Sequence, residues 1–167
     1  GIAFFAAELT VAETATLATL RVGYLTNRGG DADVKLGDGC TLTTVTQTGG
    51  KLLLQDTTTL IELVGGGECT VMDGAHTTIT IDAGTVKYNG TGTITALNVR
   101  AGGTFDCSGD TRPFTITAAD LFGPVNLIDP HKRISAATTY DLNGMGIEDL
   151  RTLSLGKNIR LTRGTPA

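Results

Sequence analysis

The chain has 167 residues, of which 40% are hydrophobic and 18% are charged, a composition that excludes an intrinsically disordered protein. Its formal net charge is −4 at pH 7, which argues against general nucleic-acid binding, because a basic surface is expected there. No run of about 18 apolar residues occurs, so the sequence predicts neither a membrane-spanning helix nor a membrane partner. The chain contains 30 Thr and 23 Gly but no Trp, which favours many short β-strands joined by tight turns over long helices.

The N-terminal segment at 1–20 differs from the rest because it is rich in Ala and in large apolar side chains. The most prominent of these are Ile2, Phe4, Phe5 and Leu9. Contiguous exposed apolar side chains mark interaction sites, so we expect these residues to be buried, either as a cap on the first repeat or as an arm docked in a partner. The sequence thus divides into an arm or cap at 1–20 and a repeat domain at 21–167.

A short pattern repeats from position 30 onward, in which a glycine is followed, after one spacer, by two apolar residues separated by one outward position. The glycines are Gly30, Gly50, Gly67, Gly84, Gly103 and Gly123, and their numbers increase in steps of 20, 17, 17, 19 and 20. Alternation with period 2 on both sides of a glycine predicts two short strands joined at a corner. We therefore expect each glycine to occupy a corner where φ is positive or where a side chain has no room.

The repeat length, between 17 and 20 positions, decides between repeat architectures. A propeller blade needs about 40–45 residues and a helical repeat about 33 or more, so neither fits. Stacked coils of short parallel strands do fit, and the sequence predicts an all-β parallel β-solenoid (β-helix) of about seven to eight coils. An antiparallel sandwich or jelly roll is the alternative, because its turns recur at about half this period.

The three cysteines do not form a disulfide framework, because their number is odd and no Cys-x-x-Cys spacing occurs. We expect Cys40, Cys69 and Cys107 to be buried free thiols. Free thiols indicate assembly in a reducing compartment.

The sequence offers little catalytic chemistry. His76 and His131 are the two histidines, and neither lies in a nucleophile motif or a zinc motif. A solenoid that cleaves polysaccharides needs a pair of carboxylates, for which Asp106, Asp110 and Asp129 are the candidates. Because the turns around them are short, we interpret them as polar corner residues. The sequence therefore predicts a protein that is not an enzyme and needs no metal or cofactor.

Several Thr-x-Thr pairs raise the alternative of an ice-binding face, which needs an unbroken Thr ladder across stacked coils. Counted from the glycines, the pair Thr44 and Thr46 aligns with Ile61 and Leu63 of the next coil. Aliphatic pairs then interrupt alternate coils, which argues against ice binding.

The segment at 94–106, Ile-Thr-Ala-Leu-Asn-Val-Arg-Ala-Gly-Gly-Thr-Phe-Asp, resembles the repeats of small β-helical virion proteins of tailed bacteriophages. Such proteins decorate capsids or form turrets, spikes and fibres, commonly as trimers. The resemblance implies a rigid structural protein of the virion, assembled in the host cytoplasm as a homotrimer in contact with other virion proteins. No catalytic residue carries over from it.

A receptor- or glycan-binding adhesin module is the second interpretation, and a polysaccharide-cleaving β-helix is the third. A flat ladder of outward Tyr and Asn residues would favour glycan binding. The chain has three Tyr residues, Tyr24, Tyr88 and Tyr140, and the alternation predicts that Tyr88 faces inward. The virion interpretation is therefore preferred.

Overall fold

The computed structural model describes residues 8–11, 15–23, 33–36, 39–100, 102–135, 138–141 and 159–162. Every regular element in these residues is a β-strand, and every strand pair is parallel. The strands are β1 (Glu8–Val11), β2 (Thr16–Val22), β3 (Asp33–Leu36), β4 (Thr41–Gln47), β5 (Lys51–Leu54), β6 (Thr58–Leu63), β7 (Glu68–Val71), β8 (His76–Ile81), β9 (Gly84–Tyr88), β10 (Ile94–Arg100), β11 (Gly103–Asp106), β12 (Phe114–Phe122), β13 (Asn126–Ile128), β14 (Ile134–Ser135), β15 (Thr138–Asp141) and β16 (Ile159–Thr162).

These strands form two parallel sheets, and the chain passes from one to the other in each coil. Sheet I has the order β1-β3-β5-β7-β9-β11-β13. Sheet II has the order β16-β15-β12-β10-β8-β6-β4-β2, and β14 pairs with the start of β12. This stacking of successive coils is a parallel β-solenoid, so the predicted fold class is confirmed.

The number and length of the coils differ from the prediction. The nearly continuous part of the structure, from β4 to β13, holds five coils of one sheet II strand and one sheet I strand, whereas about seven to eight were predicted for the whole chain. One register position is occupied in successive coils by Leu42, Thr58, His76, Ile94 and Ile116, whose numbers increase in steps of 16, 18, 18 and 22. The longest coil carries the extended turn before β12.

The core consists of columns of side chains, one residue from each coil. Inward and outward positions alternate in a strand, and each fully buried aliphatic or Phe side chain contributes about 1.5–3 kcal/mol. The sheet I column is Val34, Leu52, Cys69, Val86, Phe105 and Leu127. The two apolar-rich columns of sheet II are Val45, Ile61, Ile79, Leu97 and Ala119, and Gln47, Leu63, Ile81, Val99 and Leu121. Cys40, Cys69 and Cys107 are buried, as predicted.

Sheet II bends at one position in each coil. The register pairs Leu42 with Thr58 and then Thr44 with Leu60, with no pair at Thr43. The same omission recurs in the pairs that follow along the sheet. Inward residues on the two sides of the bend are consequently three positions apart instead of two.

The N-terminal boundary also differs from the prediction. Strand β1 pairs with β3, and β2 pairs with β4 across the boundary that was placed after position 20. Residues 8–11 and 16–22 therefore belong to the two sheets, because their backbone groups are paired as strands.

Most of the predicted corner glycines lie where φ is positive. The φ angles are 74° at Gly50, 96° at Gly67, 91° at Gly84 and 76° at Gly123. At Gly103 the positive φ falls on the preceding Gly102 instead, and a Cβ on Gly103 would lie 2.7 Å from the carbonyl oxygen of Ile81. Gly30 lies outside the described residues.

Candidate functional site

The residues predicted to dock in a partner are largely beyond the described part of the chain. Ile2, Phe4 and Phe5 lie outside the described residues. Leu9 lies in β1, and its backbone is in register with Val34. The docking role of Leu9 stays a prediction.

The three candidate catalytic carboxylates are engaged in turns. Asp106 accepts a hydrogen bond from the Ser108 amide at 2.8 Å. Asp129 is buried and accepts the amides of Arg133 at 2.8 Å and Ile134 at 3.1 Å. The carboxylates of Asp106 and Asp129 therefore stabilise turns through hydrogen bonds to backbone amides.

Asp110 is held in a third turn by Arg112. Its Oδ2 atom lies 2.6 Å from Nη2 and 2.9 Å from Nε of Arg112, and its Oδ1 atom accepts the amides of Thr111 and Arg112. The hydrogen bonds from Arg112 hold the pKa of Asp110 well below its usual range. A carboxyl group that remains ionised in this way is unsuited to the general-acid role of a glycosidase.

Arg133 joins three successive turns from inside the molecule, where it is fully buried. Its Nη1 atom donates to the carbonyls of Tyr88 at 2.6 Å and Cys107 at 3.0 Å. Its Nη2 atom donates to Gly90 at 2.8 Å, and its Nε atom donates to Arg112 at 2.8 Å. The guanidinium also lies 5.0 Å from the centre of the Phe114 ring. This contact set makes Arg133 a structural staple, a role that the sequence pattern did not reveal.

His76 is also part of the core. Its ring packs edge-on against Tyr88 with 6.0 Å between ring centroids, and Nε2 lies 3.3 Å from the carbonyl oxygen of Asp73. Burial lowers the pKa of His76 from its ordinary value, although nearby backbone acceptors and the carboxylates of Asp56 and Asp73 oppose this effect. Tyr88 faces inward, as predicted, and its hydroxyl donates to the Gly92 carbonyl at 2.8 Å.

The outer face of sheet II corrects the Thr register derived from the sequence. Thr44 pairs with Leu60, and Thr46 pairs with Glu62, whereas Ile61 and Leu63 point inward. An unbroken column of exposed Thr lies instead at the bend of five coils. It comprises Thr43, Thr59, Thr77, Thr95 and Thr117. The alignment of Thr44 and Thr46 with Ile61 and Leu63, which argued against an ice-binding face, was therefore wrong. The Thr column does not by itself indicate ice binding, because Thr is a common residue on the exposed face of a strand.

An open cleft of about 410 Å³ lies on the same outer face and is lined by Asn98, Arg100, Asp120 and Phe122. These residues come from adjacent strands, because Asn98 pairs with Asp120 and Arg100 pairs with Phe122. The four positions form a rectangle of roughly 4.8 Å across the strands and 6.7 Å along them. We call this group of four residues the Phe122 cleft.

The Phe122 cleft combines an exposed ring with groups that form hydrogen bonds. The Phe122 residue is 53% exposed. The Asn98 side-chain amide donates to the Thr80 hydroxyl at 3.3 Å, and Nε of Arg100 forms an ion pair with Asp82 at 3.1 Å. These contacts orient two of the polar side chains that border the ring. The sequence pattern does not reveal this site, because its two strands are brought together only by the stacking of coils.

The described residues show no metal site or membrane-spanning helix. Within the described ranges, no three His, Cys, Asp or Glu side chains lie close enough together to hold a metal ion. No helix in the part of the chain that the structure describes is long and apolar enough to cross a bilayer. No family model, curated protein or solved structure matches this chain.

Proposed function

We propose that this chain is a non-enzymatic structural protein of a bacteriophage virion, a rigid module of the capsid-decoration, turret or spike type. The observation that supports this role is the continuity of the stack, in which parallel ladders join each coil from β4 to β13 to the next and Arg133 ties three turns together. The stability of a solenoid comes from the interfaces between neighbouring repeats. A continuous stack is therefore a rigid rod of fixed length, which suits a structural module on the surface of a particle.

The proposed assembly is a homotrimer, as the resemblance to β-helical virion proteins implies. A small solenoid exposes long faces, and three copies can bury exposed apolar residues in a closed symmetric interface. Val64, Met72 and Ile128 are 48%, 41% and 39% exposed. Burial of these side chains between copies is the stabilising contribution that the trimer would supply.

The proposed contact with other virion proteins is the segment before β1, with Ile2, Phe4 and Phe5 as its apolar anchors. Each Phe contributes about 1.5–3 kcal/mol when it is fully buried. The segment precedes the first strand of sheet I, so its removal leaves every described strand intact.

Three experiments test this function. Gold-labelled antibodies against the chain should decorate purified phage particles, and light scattering should give a trimer at micromolar concentration. Deletion of residues 1–7 should abolish attachment to the particle without changing the melting temperature, and the double variant Phe4→Ala/Phe5→Ala should behave in the same way. Unlabelled particles, or a chain that stays monomeric, would contradict the proposal.

A receptor-binding module that recognises a glycan is the second candidate function. The specific observation in its favour is the exposed ring of Phe122 among polar side chains on a solenoid face. This candidate is compatible with a place on a virion but does not require one.

A further inference from the structure

We infer that the Phe122 cleft binds one ring of a neutral saccharide, with a face of the sugar on Phe122 and its hydroxyl groups on Asn98, Arg100 and Asp120. This inference deepens the second candidate function and is independent of whether the chain belongs to a virion. It rests on three features of the cleft, namely its ring, its polar groups and its charge.

The first feature is the ring of Phe122. The preceding coil carries Arg100 at the position that pairs with Phe122, so an aromatic residue is not a requirement of the stack. Exposure of 53% leaves a large part of this apolar residue in water. Aromatic side chains supply a large, flat apolar contact surface, and one face of a sugar ring presents C–H groups to such a surface. The exposed ring therefore has the form of a stacking platform.

The second feature is the set of polar groups beside the ring. Small-molecule sites typically combine apolar surface with a few placed polar groups. An amide supplies donors and an acceptor, a carboxylate accepts, and a guanidinium donates, so Asn98, Asp120 and Arg100 together match the mixed donors and acceptors of neighbouring sugar hydroxyls. The rectangle of roughly 4.8 by 6.7 Å is close to the size of a single sugar ring.

The third feature is charge. Asp120 lines the cleft, and Asp82 is ion-paired with Arg100 at its border. Of the four residues that line the cleft, Arg100 is the one with a cationic side chain, and its guanidinium is already ion-paired with Asp82. The carboxylate of Asp120 repels another negative charge. The charge balance therefore favours a neutral saccharide over a sialylated or uronic-acid saccharide.

The register also gives the direction in which a longer saccharide would extend. The polar position of the cleft continues along the solenoid as Thr46, Glu62, Thr80, Asn98 and Asp120. From the cleft toward the N-terminal coils, side chains that can form hydrogen bonds are thus aligned along the stacking axis. Sugars beyond the one on Phe122 would bind along this column.

The test is a titration of isotopically labelled protein, followed by NMR, with neutral oligosaccharides of glucose, galactose, mannose and N-acetylglucosamine, and with sialylated oligosaccharides. We expect at least one neutral oligosaccharide to shift the resonances of Asn98, Arg100, Asp120 and Phe122. Phe122→Ala should weaken its binding at least about tenfold, which corresponds to about 1.4 kcal/mol, whereas Phe122→Tyr should retain binding. Lys51→Ala, at an exposed position on sheet I, is the control and should bind as the parent does.

Four outcomes would overturn the inference. They are the absence of binding to every neutral oligosaccharide, binding of sialylated ones alone, unchanged affinity in Phe122→Ala, and equal weakening in Lys51→Ala. If Phe122→Ala instead dissociates an oligomer and no saccharide binds, the ring belongs to an interface between copies and the inference fails. Particle labelling is measured separately, so failure here is distinguishable from failure of the virion role.

Discussion

Arg133 shows how one residue can determine the local order of several turns. A buried charge is costly unless its hydrogen-bonding groups find partners, and this guanidinium donates to the carbonyls of Tyr88, Gly90, Cys107 and Arg112. Those carbonyls belong to two turns, between β9 and β10 and between β11 and β12, and without Arg133 they would need water or another donor to satisfy them. One guanidinium thus supplies four hydrogen bonds that would otherwise need separate donors.

Replacement of Arg133 by Met should destabilise the fold by about 3–5 kcal/mol, because it leaves buried carbonyls without donors. The matched control is Arg100→Met on the outer face, where the side chain is 64% exposed, and its effect should stay within about 0.5 kcal/mol. Urea unfolding monitored by circular dichroism measures both values. Equal midpoints for the two variants would show that Arg133 is not a staple.

His76 should make stability depend on pH. Burial lowers its pKa in the folded state below the ordinary value of 6.5, so the unfolded chain takes up a proton first as the pH falls. The contribution of neutral His76 to the free energy of unfolding is therefore fully present above the pKa of the unfolded chain. It decreases as the pH falls from about 6.5 toward the lower pKa of the folded state.

The measurement is the urea midpoint at pH values from about 8 to 5, over which His76 in the unfolded chain titrates. The parent should lose stability across the acidic half of this range, and His76→Leu should reduce that loss. His131→Gln is the control, because His131 is exposed, and it should keep the parent profile. A His76→Leu profile as steep as that of the parent would assign the pH dependence to other groups.

At the scale of elements, the corners between strands combine two constraints, backbone conformation and lack of space. Gly84 has a φ angle of 91°, and a Cβ there would lie 2.6 Å from the Gly67 carbonyl oxygen. Gly102 has a φ angle of 88°, but a Cβ there meets nothing within 4 Å. This pair of glycines therefore separates the cost of a positive φ from the cost of contact with the next coil.

Gly102→Ala should cost about 1 kcal/mol, the strain of a left-handed residue with a side chain. Gly84→Ala should cost clearly more, about 2–4 kcal/mol, because the stacked backbone must also move. Differential scanning calorimetry of the two variants provides the comparison. If Gly102→Ala proves the more damaging change, stacking distance is not what restricts these corners.

The bend of sheet II is the other feature of this scale. Two successive outward residues at the bend, such as Thr43 and Thr44, let the strand turn while Leu42 and Val45 stay in the core. A strict period of two would have placed one of these apolar residues in solvent. The bend therefore places the two inward residues three positions apart, a spacing that the period of two in a strand does not predict.

For the whole molecule, stability should be graded along the solenoid axis. Each coil contacts mainly its neighbours, and such stacks open most readily from their ends. Amides of β6 to β11, which have described coils on both sides, should therefore exchange with solvent most slowly. Native-state hydrogen exchange followed by NMR checks this order, and uniform protection from β2 to β15 would indicate a single cooperative unit.

The sequence alone was sufficient for the fold class. The glycines recur with a period between 17 and 20 positions, and the apolar residues after Gly50, Gly67, Gly84, Gly103 and Gly123 alternate as strands do. Short strands with this period bury their apolar side only when coils stack. The inward positions of Tyr88, Phe105 and Cys107 followed from the same alternation and are buried in the structure.

Register, the N-terminal boundary and the Phe122 cleft were decided by the tertiary structure. The sheet II register advances by 16 positions from Leu42 to Thr58, whereas the glycines advance by 17 from Gly50 to Gly67. Counting from the glycines therefore placed Thr44 one position off, beside an inward residue of the next coil. Backbone pairing between strands, which corrects such errors, depends on residues that are far apart in the sequence. Asn98 and Asp120 become neighbours through this pairing alone, and Arg133 reaches the distant carbonyls of Tyr88 and Gly90. Alternation within a strand predicts whether a side chain points inward or outward, whereas the pairing of one coil with the next determines which side chains it contacts.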